Sequence, residues 1–345
     1  MHTLSLPMLN RRRYFSTLAW FTVFFLATLA IAPLIGATRI SLEKALSNEI
    51  KFADNMDAHI LFLARLPRIL LAAITGASLS VAGAVFQAIL RNDLAAPITL
   101  GVASGAAFGA VLAISLGLSF TVLGFSSISF AAFLGAMLAV TLVFSLVKTR
   151  QGELPTSIVL LAGVTVNFFF AALVMLIHYL SDITQSFRIV RWLMGGLDIT
   201  DYQTVFSVSL PVILGSFILM VIARDLNLIS SGSQSALSRG VDVPKIQKIG
   251  LVSASLVTGA VVAVSGPIGF VGLVVPHIVR LLIGPDQRIL IPASMLFGAS
   301  FLIICDTVAR TVIAPTEIPV GVITAMIGGP FFVWLLKKKA AGVKR

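Results

Sequence analysis

The stretch Gly266–Arg288, GPIGFVGLVVPHIVRLLIGPDQR, decides how the chain folds. It is apolar enough to enter a bilayer, yet Gly266, Pro267, Gly269, Gly272, Pro276 and Gly284 punctuate it. A helix from Gly269 to Ile283 would rise about 22 Å, short of the roughly 30 Å hydrocarbon layer. Lipid offers no hydrogen bonds, so broken backbone at that depth persists only where it packs on protein or lines a cavity. Short spans interrupted by glycine and proline are where a sequence points to the working centre of a membrane transporter. The competing reading is a proline-kinked structural helix.

Around this stretch the chain is 58% hydrophobic and only 11% charged, whereas a soluble domain carries about a quarter charged residues. The apolar runs are continuous, not alternating, which excludes a β-barrel. The reading is an all-α membrane protein in which 1–345 form a single transmembrane domain. It has a short N-terminal segment 1–17, spans over 18–336 and a basic tail 337–345. Ten spans are expected, near 18–35, 66–90, 98–117, 128–147, 158–180, 204–223, 245–265, the broken element, 289–309 and 318–336. Arg11, Arg12 and Arg13 lead into the first, and its length, with Ile35 before Ala37, argues against a cleaved signal peptide. The segments 38–64 and 181–203 are polar enough to lie at the outer surface, each with a short helix.

Lysine and arginine orient the chain. Eight of the 25 (Arg39, Lys44, Lys51, Arg65, Arg68, Arg188, Arg191 and Arg310) fall on one side and 17 on the side of the termini. The positive-inside rule makes the termini cytoplasmic. The net charge of +11 is scattered through short loops, so it marks orientation and not a nucleic-acid stripe. Cys305 is the only cysteine, which excludes an intrachain disulfide or a cysteine metal cluster.

Two small-residue patterns bear on packing. Gly101, Gly105 and Gly109 recur every four residues and are expected to share a close-packed helix face. Gly76-Ala77-x-x-x-Val81-x-Gly83 in span 2 echoes Gly259-Ala260-x-x-x-Val264-x-Gly266 in span 7. Those spans run in opposite directions, as an inverted repeat requires.

The chain has no G-x-x-x-x-G-K-[ST] phosphate loop and no HExxH. His2, His59, His178 and His277 are isolated in sequence, and His277 is expected to be a packed side chain. Of fourteen acidic residues only Asp306 falls inside an expected span, with Arg310 at i+4 to neutralise it. An ion-coupled transporter would need more intramembrane carboxylates, and an intramembrane enzyme would need clustered nucleophile, base or metal ligands. Arg65, Arg68 and Arg310 stand at outer helix ends, either as headgroup anchors or as a bidentate landing site for a partner's carboxylates. On the inner side, Ser233–Gly240 is expected to make two helical turns ended by Gly240, with Pro244 opening span 7.

Three blocks carry a resemblance. The first runs from Arg65-Leu66-Pro67-Arg68 through Gly76-Ala77, Gly83-Ala84, Gln87-Ala88, Arg91-Asn92, Leu94-Ala95 and Pro97 to Ser104-Gly105-Ala106. The second is Leu161-Ala162-Gly163 with Trp192-Leu193-Met194-Gly195-Gly196-Leu197. The third runs from Ala236-x-x-x-Gly240-Val241 through the opening stretch to Arg310, Glu317-Ile318-Pro319-Val320-Gly321 and Gly328-Gly329-Pro330-Phe331-Phe332. Over about 60–336 the chain resembles the permease subunit of bacterial ABC importers for iron-siderophore, haem and cobalamin.

The resemblance implies a ten-helix subunit in the cytoplasmic (inner) membrane, paired with itself or a paralogue. Two ATPase subunits would bind the ATP and magnesium, so this chain needs no cofactor and catalyses no reaction. An extracytoplasmic binding protein would dock through glutamates on Arg65, Arg68 and Arg310. Asn92, Leu94, Thr156 and Ser157 would form the cytoplasmic gate, and Ser235, Ala236, Arg239 and Gly240 would couple to the ATPase. The implied cargo is an iron-siderophore-type chelate, with haem, cobalamin or molybdate as alternatives. Asp93 and Ala96 depart from the family's usual Asn-Pro-Leu-Ala-Asp/Glu-Pro loop.

Overall fold

The computed structural model describes residues 11–47, 52–122, 124–147, 155–198 and 201–343. The expected basic loop Lys148-Thr149-Arg150 lies outside the described residues. Ten helices correspond to the expected spans: Arg11–Ile31, Leu66–Leu90, Val102–Ser115, Ser127–Leu146, Thr156–Leu180, Tyr202–Val221, Val243–Ser265, Val271–Ile283, Gln287–Thr311 and Val320–Val343, hereafter spans 1 to 10. Among the described residues seven are long and apolar enough to cross a membrane, while spans 3, 8 and 10 have shorter apolar helices.

Local chemistry sets the ends. Asp201 caps span 6 by accepting from the Thr204 N–H at 2.6 Å, and Asp242 caps span 7 in front of Pro244. The outer segment expected to be helical contains Ile183–Leu193, opened by a capping box between Asp182 and Gln185. Among its described residues the outer segment before span 2 contains the short helices Leu42–Leu46 and Met56–His59, where a short helix was expected. Helix Met56–His59 runs through a π-helical turn, Ile60–Arg65, straight into span 2.

Span 2 is the hub, buried along nearly its whole length. Its Gly76 lies against the Gly298 carbonyl of span 9 and its Gly83 against the Gly272 carbonyl of span 8, where a Cβ would collide. Span 2 thus packs on spans 8 and 9, and span 7 packs on spans 3 and 4. Exchanging 2–5 with 7–10 turns one set of contacts into the other, which is the inverted repeat that the small-residue echo suggested.

The glycine stripe of span 3 needs one correction. Gly105 and Gly109 meet Gly135 and Ala131 of span 4 backbone to backbone, but Gly101 does not share their face. It ends the 3-10 turn Pro97–Leu100 with a positive φ of 77°, and span 3 starts after it. Span 3 is shorter than expected for that reason.

The broken element is also shorter than expected, because its helix begins at Val271 and not at Gly269. Span 7 stops at Ser265, Gly266 takes φ 66°, and Phe270 enters span 8 in the left-handed region at φ 66°. A left-handed bulky residue costs about 1–2 kcal/mol. Its ring fills the space left by Gly328 and contacts Phe332, packing that offsets this cost.

Candidate functional site

The break is covered from outside by the Trp192–Leu197 motif. The Gly196 N–H donates to the Ser265 carbonyl at 2.8 Å, and the Gly321 N–H donates to the Gly195 carbonyl at 3.3 Å. Gly195, Gly266 and Gly321 sit so close to the backbones of Pro267, Trp192 and Met194 that any side chain would clash. The end of span 7, the 192–197 segment and the start of span 10 therefore form one junction without side chains. Pro267 and Gly269 lie in the non-helical link, and Gly272 and Pro276 lie within span 8, buried against span 2 and its neighbours.

Beside this junction a cleft of about 340 Å³ opens at the outer end, with Arg65, Arg68, Arg191, Arg310, Asp198 and Glu317 in its walls. Beneath it lies Asp306, fully buried. Arg310 donates from Nε to Asp306 Oδ2 at 3.0 Å, the expected i+4 pair. Arg68 of span 2 donates from Nε to Asp306 Oδ1 at 2.9 Å, a contact that spacing cannot reveal because 238 residues separate the two. One carboxylate thus fixes both guanidinium groups by their inner edges. The outer edge of Arg68 reaches Glu317 Oε2 at 2.6 Å and lies 3.7 Å from Asp198 Oδ1, both carboxylates being about half exposed. Asp198 also accepts from Arg191 at 2.9 Å.

Arg65 is placed differently. It is buried, and its guanidinium donates to the carbonyls of Pro33, at 2.6 Å, and Thr38. The π-helical turn that it ends rotates it away from the register of span 2, and Gly36 leaves room for its head group. The structure brings the three arginines to one cleft, with Arg68 and Arg310 held by a carboxylate and Arg65 by the 33–38 turn.

At the inner end, Arg91 terminates span 2 in the left-handed region and donates to the Ile229 carbonyl at 2.9 Å and to the Ser233 hydroxyl. Asn92 Oδ1 accepts from the Leu94 N–H at 3.0 Å, which folds the following loop and leaves Leu94 exposed. Asp93, one of the two departures from the usual loop pattern, is bound by Arg280 of span 8 at 2.9 Å, and Arg280 also donates to Gln87. Ala96, the other, is buried. Thr156 and Ser157 open span 5. Span 5 lies against the 97–100 turn, where Gly163 faces the Thr99 carbonyl and Asn167 donates to the Ile98 carbonyl.

Ser233–Leu237 makes a single helical turn, not two. The Gly240 N–H donates to Leu237 O and the Val241 N–H to Ala236 O, a Schellman closure with Gly240 at φ 80°. Ala236 is buried against Ile229 and Val243, while Ser235, Arg239 and Gly240 face outward. Asn227 ties this region to span 9: it donates to Asp286 at 2.7 Å and accepts from the Gln287 N–H. Burial raises the Asp286 carboxyl, but hydrogen bonds from Arg288 and Asn227 outweigh it and hold the group below the usual carboxylate range.

His277 is buried, with its ring edge against Phe331. Among the described residues no group of three or more His, Cys, Asp or Glu side chains could hold a metal ion.

Ten helices folded around a short broken span, with an arginine-lined outer mouth and a polar inner segment, define the membrane subunit of a transporter. Residues 23–338 match the FecCD transport family, and the chain belongs to it. A cobalamin import system permease of Halobacterium salinarum, BtuC, is 44% identical over 80% of this chain and 72% of its own length. The hemin transport system permease HmuU of Yersinia pestis is 39% identical over 81% of this chain and 84% of its own. A solved inward-facing transporter assigned to the metal-chelate ABC type matches with a TM-score of 0.80 and 34% identity, covering 94% of this chain and 99% of that one. The chain is therefore an ABC importer permease, a multi-pass membrane transport component and not an enzyme. Permeases of this family act with ATPase and substrate-binding-protein partners.

Proposed function

We propose that this permease carries an iron-siderophore-type metal chelate across the bacterial inner membrane, by ATP-driven alternating access. Two copies, or one copy and a paralogue, would stand on two ATPase subunits and receive cargo from an extracytoplasmic binding protein. The observation that carries the docking part is the outer cleft, where Asp306 holds Arg68 and Arg310 by their inner edges. Guanidinium groups fixed in this way lose little entropy when they accept a second carboxylate. Arg65 supports the cleft wall from the 33–38 turn. Asn92, Leu94, Thr156 and Ser157 form the inner gate in this reading. Ser235, Ala236, Arg239 and Gly240 take the push of the ATPase, passed on through Arg91 and Asn227. The broken element at Gly266, Pro267, Gly269, Gly272 and Pro276 lies between the two ends.

The metal-chelate assignment of the solved relative and the hemin cargo of HmuU favour an iron chelate. Cobalamin, named for the Halobacterium relative, is the second reading, with molybdate behind it. An ion-coupled mechanism has less support. Asp306 is the one buried carboxylate among the described residues, and two arginines neutralise it.

The test is ATP hydrolysis by the transporter reconstituted in nanodiscs, with the binding protein loaded in turn with ferric siderophore, haem, cobalamin or molybdate. Stimulation by ferric siderophore alone is expected. Stimulation by another of these would reassign the cargo, and uptake driven by an ion gradient without an ATPase would overturn the mechanism.

A further inference from the structure

At the inner end of the bundle a second cleft, of about 540 Å³, opens between the start of span 1, the end of span 6 and the start of span 9. Its polar wall is Tyr14, Arg224 and Arg288, and its apolar wall is Phe15, Val221 and Pro292. Arg288 grips Asp286 through Nε and Nη2 and keeps 43% of its side chain exposed. Arg224 is exposed and joins no carboxylate among the described residues. The apolar wall continues along span 6, whose Leu214, Phe217 and Ile218 are exposed on the outside of the bundle.

These groups are arranged in a definite order. Cations and a phenol stand at the cytoplasmic ends of three helices, and an uncovered apolar face follows at bilayer depth. A soluble anion would use the arginines alone. A phospholipid matches both, because its charged headgroup and its acyl chains are joined in the same order. We infer that this cleft is a site for an anionic diacyl phospholipid of the inner leaflet, its phosphate between Arg224 and Arg288 and its chains along span 6. The site lies apart from the outer cleft and the gate, and its existence does not depend on what cargo is carried.

The test is native mass spectrometry of the full-length chain in detergent, titrated with phosphatidylglycerol or phosphatidylcholine of identical acyl chains. An arginine at an anionic interface contributes roughly fivefold to binding. Wild type is expected to prefer phosphatidylglycerol. Arg224→Gln, which leaves the Asp286–Arg288 pair intact, should lower that preference about fivefold, and Arg224→Gln with Arg288→Gln by more than tenfold. Neutralising Lys337 and Lys338, at the same membrane face on span 10, should leave it unchanged. Equal binding of the two lipids, an undiminished preference in the double variant, or an equal loss in the lysine variant would overturn the site. Displacement of phosphatidylglycerol by millimolar inorganic phosphate would also overturn it, as the mark of a soluble-anion site.

Discussion

Replacing Asp306 with asparagine keeps the side-chain volume and removes the charge that Arg68 and Arg310 share. The carboxylate is fully buried and accepts at 2.9 Å and 3.0 Å from two guanidinium groups on different spans. Breaking a buried ion pair costs about 3–5 kcal/mol, because the remaining charge stays desolvated. Arg68 keeps Glu317 at 2.6 Å, which softens its share. Arg310 keeps only neutral acceptors among those seen, Thr307 at 3.4 Å and the Ile35 carbonyl at 3.5 Å. The expected loss is therefore near the lower bound, about 3 kcal/mol. Asp306→Leu with Arg310→Met should recover part of it, since the charge of Arg310 leaves together with its partner, while Arg68 loses Asp306 and keeps only Glu317. The assay is unfolding by dodecyl sulfate in mixed micelles, followed by the fluorescence of Trp20, Trp192 and Trp334. Asp306→Asn within about 0.5 kcal/mol of wild type, an ordinary surface effect, would refute the reasoning.

Glu317→Gln removes a half-exposed carboxylate from the outer edge of Arg68. It should tighten association with the binding protein by up to about fivefold, the scale of an exposed pair of roughly 1 kcal/mol, measured by interferometry on nanodiscs. Arg68→Glu should weaken the same association. Gly83→Val would drive a side chain into the Gly272 carbonyl at the span 2–span 8 contact. A cost of about 1–3 kcal/mol and a lower melting temperature are expected, and an unchanged melt would contradict that contact. Asp286 is held below its ordinary pKa, so its ionised form stabilises the folded state above about pH 4 and that contribution is lost as pH falls through the lowered value. Wild type should melt above Asp286→Asn at pH 7, with the gap narrowing as pH falls below the ordinary carboxylate range, and a gap constant with pH would contradict the assignment.

Much of the architecture was legible in the chain, because lipid imposes a rule on sequence. Every span must satisfy its own backbone, so apolar length and charge placement report spans and sides. The break at Gly266 was legible from glycine and proline, and the Asp306–Arg310 pair from i+4 spacing. The ends of spans 3 and 8 were misplaced, because Gly101 and Phe270 adopt left-handed backbone and composition does not announce which residue will do so. Arg65 shows the same limit. It looks like its neighbour Arg68 in sequence, yet a π-helical turn sends it inward to two carbonyls.

By itself the sequence determined an all-α membrane fold, ten helical spans and the existence of a broken centre, since each depends on local hydropathy and backbone chemistry. Only the tertiary structure decided which distant groups share a charge: Arg68 with Asp306 and Glu317, Asp93 with Arg280, Asn227 with Asp286. It also decided why the glycines of three separate motifs are needed together. Gly195, Gly266 and Gly321 meet backbone to backbone at a single junction. Such contacts are set by how helices cross in space, and no spacing along the chain encodes that crossing.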